Sequence, residues 1–321
     1  MTVALFAVGL GGSAVIGLVA WFGVQSITAE IQQAAWVIPL AASLLGLQLT
    51  LSAVAWRISV GAARPRLGRY VRIRWIREAV NSLLPVAQLG GNLVGIRMLA
   101  QRGVSGSLAA AGTTLDLTIE AGTQAIFTLA GLGVLAAIAT EGHELSPWIG
   151  VTLVITALGI VGFILAQRAG LLRLVEWSAR QLGRLFPSIT AQSVRGLHHE
   201  LMRLHRDRKA LAQAIFLHLL AWVLGVAETW MIMAAMGQPV ALAEAFVIES
   251  LGMAARSAGF AVPGALGVQE AGFIVVCELF AIPPDTAIAL SMIKRARELT
   301  IGIPGLCAWQ WSESRRLLRR G

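Results

Sequence analysis

The chain has 321 residues, of which 56% are hydrophobic and only 13% are charged, and its mean hydropathy is +0.73. Soluble domains carry roughly 25% charged residues, so this composition excludes an ordinary soluble enzyme as well as a disordered chain. The apolar runs are long and do not alternate as membrane β-strands do. The composition therefore predicts an all-α, polytopic integral membrane protein.

The apolar runs predict about 6–8 transmembrane helices, the number depending on how two broken segments are interpreted. The predicted spans are 3–25, 35–60, 106–138, 147–166, 210–236, 241–262, 264–282 and 286–311. We expect a single transmembrane domain, 1–321, with a first half over 3–166 and a second half over 210–311. A basic amphipathic linker, 167–209, separates the halves, and a basic tail, 312–321, follows the last span.

The connectors differ sharply in charge. The chain has 26 basic residues and a formal net charge of +9, and nineteen of the 26 lie in three segments, 61–77, 167–209 and 312–321. The other connectors contain no basic residue: 26–34, 139–146, 237–240 and 283–285. Because basic loops stay in the cytoplasm, this pattern predicts that both termini are cytoplasmic. The same charge indicates contact with anionic lipid headgroups rather than with nucleic acid.

Segment 79–99 is not predicted to be a simple span. Arg77 precedes it and Arg97 and Arg102 lie at its far end, so both of its ends are expected on the cytoplasmic side. Its polar and helix-breaking residues are Asn81, Pro85, Gln88, Gly90, Gly91 and Asn92. We predict a re-entrant helical hairpin that enters from the cytoplasm and turns at Pro85–Gly91. The alternative is an amphipathic helix on the membrane surface.

The second half has a counterpart at 258–273, where Pro263, Gly264 and Gly267 interrupt an apolar stretch. Residues 241–282 are either a hairpin that enters from outside or two full spans, and the pattern fits both. Broken segments in corresponding places of two halves suggest an inverted repeat with a site between them.

Ten ionisable residues lie inside the predicted spans, where each is costly and is a functional candidate. The acids are Asp116, Glu120, Glu228, Glu249, Glu270 and Glu298, and the bases are Arg256, Lys294, Arg295 and Arg297. We expect a hydrated cavity in which arginines bind an anionic headgroup, or in which carboxylates carry protons or oppose a cationic headgroup. The competing explanation is internal ion pairing that holds helices together. We expect His218, alone in a span, to be a hydrogen-bonded core residue.

Motifs for catalysis or for cofactors are not found. Cys277 and Cys307 belong to no Cys/His cluster, and no nucleotide-binding fingerprint follows a predicted strand. We therefore expect no catalytic residue, no metal and no cofactor.

Four motifs, in order along the chain, carry a family resemblance. They are EAVNSLLPVAQLGGNLVGIRML, GTTLDLTIEAGTQAIF, FVIESLGMAARSAGFAVPGALGVQEAGF and ALSMIKRARELTIGIPGLCAWQ. Together they resemble the HpnL-type hopanoid-associated membrane proteins, which belong to the flippase-like family that includes the transmembrane domain of lysylphosphatidylglycerol synthases. The resemblance covers about residues 3–312. It implies a protein of the bacterial inner membrane, encoded alongside hopanoid synthesis, that moves a lipid between leaflets.

Two functions are therefore expected from the sequence. The first is a flippase or transporter that moves a polar-headed lipid, a phospholipid or a hopanoid-type lipid, through a charged intramembrane cavity. The alternative is an integral-membrane enzyme or assembly partner that acts in lipid-headgroup or hopanoid modification.

Overall fold

The computed structural model describes residues 24–60, 65–84, 90–140, 191–259 and 262–318, together with a few isolated positions before residue 24. All regular secondary structure in these ranges is helical. The predicted spans 3–25 and 147–166 and most of the linker 167–209 lie outside the described residues, as does the end of the tail. The predictions for those segments stay predictions.

The first half begins with a continuous helical segment. Its helices are α1 (Val24–Ala34), a 3-10 turn (Ala35–Val37), α2 (Ile38–Val60), α3 (Leu67–Leu83), α4 (Gly90–Ala100) and α5 (Gly106–Thr140). The connector predicted at 26–34 is therefore helical. Neither glycine nor proline interrupts it, and Pro39 lies in the first turn of α2, where its missing N–H is not needed.

The second half contains α6 (Ala191–Arg206), α7 (Arg208–Ala235), α8 (Leu242–Ala258), a 3-10 turn (Pro263–Ala265), α9 (Val268–Glu278) and α10 (Pro284–Leu318). Asp207 separates α6 from α7, and its carboxylate accepts a hydrogen bond from the Ala210 N–H at the start of α7. Gly264 and Gly267 adopt positive φ angles of 62° and 80°, which favour glycine, and so they end the helical path between α8 and α9.

The two halves repeat the same order of helices. Helices α3 and α8 each have 17 residues, and each is followed by a shorter helix, α4 or α9, and then by a long one, α5 or α10. In each half a long helix precedes this set, α2 in the first and α7 in the second. The pairings also correspond, because α3 packs on α10 and α8 packs on α5.

Equivalent helices of the two halves run in opposite directions. Val60, at the end of α2, packs against α5 so closely that a methyl group on Gly112 would lie 2.5 Å from a Val60 methyl carbon. A methyl group on Gly237, just after α7, would lie 3.1 Å from the side-chain nitrogen of Gln33, just before α2. The end of α7 is thus beside the start of α2, and these two helices pack together antiparallel. The repeated order of helices and the antiparallel packing of α2 and α7 are the features expected of an inverted repeat.

The connectors sort to the two ends of the molecule by charge. At the basic end, a single pocket is lined by Arg69, Arg102 and Ser312, and Arg97 pairs with Glu313. At the opposite end, the Thr286 hydroxyl donates to the Glu30 carboxylate at 2.8 Å, near Gly237. The basic segments that begin α3 and end α10 thus share one end, whereas connectors 237–240 and 283–285, which contain no basic residue, share the other.

The segment predicted at 79–99 is part of a longer hairpin formed by α3 and α4. The Asn81 side-chain oxygen accepts a hydrogen bond from the Gly91 N–H at 2.8 Å, which ties the two helices beside the break. A methyl group on Gly91 would lie 2.1 Å from the Arg77 carbonyl oxygen, so the helices cross in close contact. The turn residues 85–89 lie outside the described residues. The first hairpin extends back to residue 67, so residues 67–77, predicted as part of a connector, form the first part of α3.

Three described segments are long and apolar enough to cross a membrane: Val24–Val60, Gly106–Ile138 and Arg208–Ala235. They contain the predicted spans 35–60, 106–138 and nearly all of 210–236. Segment 241–282 instead forms α8 and α9, and at 1.5 Å per residue the 11 residues of α9 extend only about 17 Å, roughly half of a hydrocarbon core. Both helices are thus shorter than the spans predicted at 241–262 and 264–282. Helix α10 is long enough to span, but it contains the charged group 294–298.

Candidate functional site

The first charge network joins the first hairpin to α5. The Arg74 guanidinium donates to Asp116 at 3.1 Å and to Glu120 at 2.6 Å, and the Arg77 guanidinium donates to Asp116 at 2.8 Å. Asp116 and Glu120 are four residues apart, so one face of α5 presents both carboxylates. We call these four residues the first quartet. All but Glu120 have side chains that are at most 3% exposed.

His218 completes this network from the second half. Its Nε2 lies 3.2 Å from the second carboxylate oxygen of Asp116, and the imidazole is buried. The prediction of a hydrogen-bonded core histidine is confirmed. Arg77 also stacks over the ring of Trp56, with its guanidinium carbon 5.3 Å from the ring centroid, a favourable cation–π contact.

A second group of four charged residues lies on α7, α8 and α10. We call it the second quartet, and its members are Glu228, Glu249, Lys294 and Arg297. Lys294 Nζ lies 2.8 Å from Glu249 and 3.6 Å from Glu228, and Arg297 lies 2.7 Å from Glu228. Thr229 donates to Glu249 at 2.6 Å, and Gln48 donates to Glu228 at 3.4 Å.

The quartets occupy equivalent positions with reversed charge. Arg74 and Glu249 are each the eighth residue of their helices, α3 and α8. Asp116 and Lys294 are each the eleventh residue of α5 and α10. The pair Arg74–Asp116 in the first half is therefore matched by Glu249–Lys294 in the second. Each quartet contains two acids and two bases, so each is formally neutral.

A third network holds the break of the second hairpin. The Arg295 guanidinium contacts the Glu270 carboxylate at 2.6 and 3.1 Å and donates to the Gly264 carbonyl at 3.0 Å. Glu270 also accepts from the Gly267 N–H and from the Ser291 hydroxyl. A carboxylate in the first turn of α9 is favoured by the helix dipole, and it satisfies a backbone donor freed at the break.

Arg256 continues this third network at the end of α8. Its guanidinium donates to the Gln269 side-chain oxygen and to Glu298 at 2.7 Å, and Gln269 in turn donates to Ser291. We call the third network, formed by the following six residues, the junction network: Arg256, Gln269, Glu270, Ser291, Arg295 and Glu298. Glu249 and Arg256 do share one helix face, as their spacing indicates, because both reach α10.

Three residues of the junction network are more accessible than the second quartet, whereas Gln269, Glu270 and Ser291 are at most 1% exposed. The side chains of Arg256 and Glu298 are each 14% exposed and that of Arg295 is 15% exposed, whereas Glu228, Glu249 and Lys294 are at most 3% exposed. The closed end of the first hairpin lies beside it, because a methyl group on Gly264 would lie 3.4 Å from the Ser82 carbonyl oxygen.

All ten of the predicted intramembrane charges fall within these three networks. The predicted break residues are spread more widely: Asn81 binds Gly91 across the first hairpin, Gly90 begins α4, Asn92 is buried in α4, and Pro263, Gly264 and Gly267 form the second break. Pro85 and Gln88 lie outside the described residues. The local spacing of Lys294, Arg295 and Glu298 does not produce pairing along α10, because each finds its partner on another helix.

Sequence reasoning missed Arg74 and Arg77, which it assigned to a cytoplasmic connector although both are buried. It also missed the neutral partners Gln48, Thr229, Gln269 and Ser291. A signal was present for the arginines: Arg74 and Arg77 are three residues apart and share a helix face with the apolar Tyr70 and Ile73. The neutral partners carry no comparable signal, because serine, threonine and glutamine are common on helices.

The geometry of these ion pairs determines whether they can exchange an internal carboxylate for an external anion. A buried ion pair gains little net stability because of desolvation, but removing one partner is costly. A guanidinium that already holds a planar carboxylate can hold a phosphate in the same bidentate geometry. The partly exposed arginines of the junction network are therefore suited to exchanging an internal acid for an external anion.

A comparison with known families agrees with the all-helical fold and the apolar helices. The chain matches the family model described as the lysylphosphatidylglycerol synthase TM region over residues 4–305. Neither a curated protein nor a solved structure matches it. The match covers nearly the whole chain and confirms the family resemblance of its four motifs: the protein is a helical membrane protein that belongs to the lysylphosphatidylglycerol synthase TM region family.

Proposed function

We propose that this protein moves a polar-headed lipid, a phospholipid or a hopanoid-type lipid, between the leaflets of the bacterial inner membrane. The observation that carries the proposal is the junction network, where Arg295 binds both the broken backbone at Gly264 and the Glu270 carboxylate. In transporters built from inverted repeats, broken helices at the repeat interface form the substrate site.

The proposed step is an exchange of ion pairs. A lipid phosphate or carboxylate reaches Arg256 and Arg295 at their exposed edges and replaces Glu298 or Glu270 as the partner. The guanidinium charges then stay compensated while the headgroup passes the apolar layer, and the displaced carboxylate takes up a proton, so that neither partner is left as a buried unpaired charge. The acyl chains stay in lipid throughout. No chemical bond of the lipid changes.

The placement in the membrane is part of the proposal. Hairpins α3–α4 and α8–α9 are re-entrant from opposite faces, their closed ends lie near the midplane, and the basic end faces the cytoplasm. The charge asymmetry of the connectors and the opposite directions of the two halves support this placement. Together with the three described spanning segments, α10 and the spans predicted at 3–25 and 147–166 give a helix count within the expected range.

The test is lipid movement in proteoliposomes that contain the purified chain and a headgroup-labelled phospholipid. The informative variant is Arg295→Gln/Glu270→Gln, which removes both charges without leaving one of them buried and unpaired. We expect the rate of leaflet exchange to fall by about tenfold or more, since a hydrogen bond to a charged group contributes about 1.5–3 kcal/mol.

The matched control is Arg203→Gln/Glu200→Gln, which makes the same two substitutions in a surface ion pair of 2.7 Å on α6. This control should retain the wild-type rate, and both variants should keep the wild-type thermal midpoint. Normal exchange by a folded Arg295→Gln/Glu270→Gln variant would contradict the proposal.

The family description favours one second candidate, because it names the membrane region of a lipid-modifying synthase. On this alternative the chain is an enzyme or assembly partner in lipid-headgroup or hopanoid modification. Mass spectrometry of the lipids recovered from the same proteoliposomes separates the two. A changed headgroup supports the alternative, and an unchanged headgroup in the opposite leaflet supports the flippase.

A further inference from the structure

A pocket at the basic end lies apart from the three charge networks. It has a volume of about 460 Å³ and is lined by Arg69 of α3, Met98 of α4, Gln101 and Arg102 of the following turn, and Ser312 of α10. The pocket thus lies where the open end of the first hairpin meets the end of the last helix.

Two arginines, Arg69 and Arg102, line this pocket, and Arg72 lies close enough to repel Arg102. Within the described ranges, the side chains of Arg69 and Arg72 contact no carboxylate, and Arg102 donates only to the Met98 carbonyl oxygen at 2.9 Å. The carboxylate of Glu313, which follows the lining residue Ser312, is bound to Arg97 at 2.9 Å. The pocket therefore concentrates positive charge that the described residues leave uncompensated.

The arginines are close enough to disturb one another. The pKa of Arg102 is lowered from its ordinary value, first by burial and then by repulsion from Arg72 and Arg69. This is the opposite of the first quartet, where each guanidinium faces a carboxylate. A bound anion would relieve the repulsion, and a phosphate accepts hydrogen bonds from several guanidinium groups at once.

We propose that this pocket binds a phosphate group, held by Arg69 and Arg102 with Arg72 adding positive charge. The phosphate belongs either to an anionic phospholipid of the adjacent leaflet or to a soluble phosphate compound. The site holds an anion at the membrane boundary, and it is separate from the junction network. The inference is independent of whether the protein moves lipid.

The first experiment measures the thermal midpoint of the full chain in detergent, with inorganic phosphate or chloride at equal ionic strength. Phosphate should raise the midpoint of the wild type. The Arg69→Gln/Arg102→Gln variant should bind phosphate about a hundredfold more weakly, since each charged contact contributes roughly a factor of ten or more. Arg69 is exposed and Arg102 is only partly buried, so we expect this variant to fold, and the single Arg69→Gln substitution serves if it does not.

The matched control is Arg206→Gln/Arg208→Gln, which removes the same charge from exposed positions between α6 and α7. A phosphate response that is lost in the pocket variant and kept in the control supports the site. An equal loss in both variants, or a wild type that does not respond, overturns it.

The second experiment identifies the source of the phosphate. Native mass spectrometry counts the phosphatidylglycerol molecules retained from nanodiscs that contain phosphatidylglycerol and phosphatidylcholine in equal amounts. If the pocket variant retains fewer than the wild type and the control, the ligand is a lipid headgroup. If retention is unchanged while the response to inorganic phosphate is lost, the site binds a soluble phosphate compound.

Discussion

The two quartets place opposite charges at equivalent positions of one repeated scaffold, and they differ in how well those charges are bonded. In the first quartet, Arg74 and Arg77 donate directed hydrogen bonds to Asp116 and Glu120. In the second, Lys294 Nζ and Arg297 Nη1 lie within ion-pair distance of acids, but neither has hydrogen-bond geometry. The same architecture thus supports one tightly bonded network and one looser network.

The halves differ again at their breaks. Asn81 and Gly91 form a neutral contact in the first hairpin. Arg256, the fifteenth residue of α8 as Asn81 is of α3, instead binds Gln269 and Glu298. Charge has therefore been concentrated on the second break, while the first half provides a neutral surface. On the proposed function, the first quartet is structural and the junction network binds the lipid headgroup.

The largest expected effect is a loss in the free energy of unfolding, and it should be greater when an acid is removed from the first quartet than from the second. Asp116→Asn leaves two buried guanidinium groups short of one negative charge, so we expect a loss of about 3–5 kcal/mol in the free energy of unfolding. Glu249→Gln changes the charge equally but breaks fewer directed bonds, and we expect a loss of about 1.5–3 kcal/mol. Denaturation of both variants in detergent measures the difference. Equal losses, or a larger loss for Glu249→Gln, would remove the distinction between the networks.

The next largest effect is the stability loss caused by adding a methyl group where the two helices of a hairpin cross. It tests whether the stability of both hairpins depends on close helix contact. Gly91→Ala places a methyl group 2.1 Å from the Arg77 carbonyl oxygen, and Gly272→Ala places one 2.4 Å from the Ala255 methyl carbon. Overpacking of this kind costs about 1–3 kcal/mol. Gly46→Ala is the control, because its methyl group meets nothing within 4 Å, and it should be neutral or stabilising. Thermal midpoints that are unchanged in either hairpin variant would show that the helices separate more easily than this packing implies.

The smallest effect concerns the contact that joins the first hairpin to the end of α10. Arg97 and Glu313 form a 2.9 Å pair with side chains 43% and 24% exposed. Glu313→Gln should cost less than about 1 kcal/mol, because solvent screens exposed ion pairs. A loss as large as that of Asp116→Asn would mean that the basic end carries much of the stability.

Sequence patterns predicted the class and the family, and they singled out ten charges that the structure joins in three networks, because apolar length and charge cost act locally. They also indicated both breaks, since Pro263 and Gly264 disturb a helix wherever it packs. Partner choice could not be predicted in the same way. Lys294 pairs with Glu249 on another helix, and Glu298 pairs with Arg256 rather than with its neighbours along α10. Such contacts depend on helix packing, and the repeated order of helices in the two halves became visible only in the structure.

The central claim is that the two hairpins open on opposite faces of the membrane. It is tested most directly by cysteine labelling of exposed positions in a Cys277→Ala/Cys307→Ala background. Ser105→Cys follows the first hairpin at the basic end, and Gln238→Cys precedes the second hairpin at the opposite end. With an impermeant thiol reagent, Ser105→Cys should be labelled only from the cytoplasmic side, and Gln238→Cys only from the external side. Labelling of both positions from the same side would contradict the account.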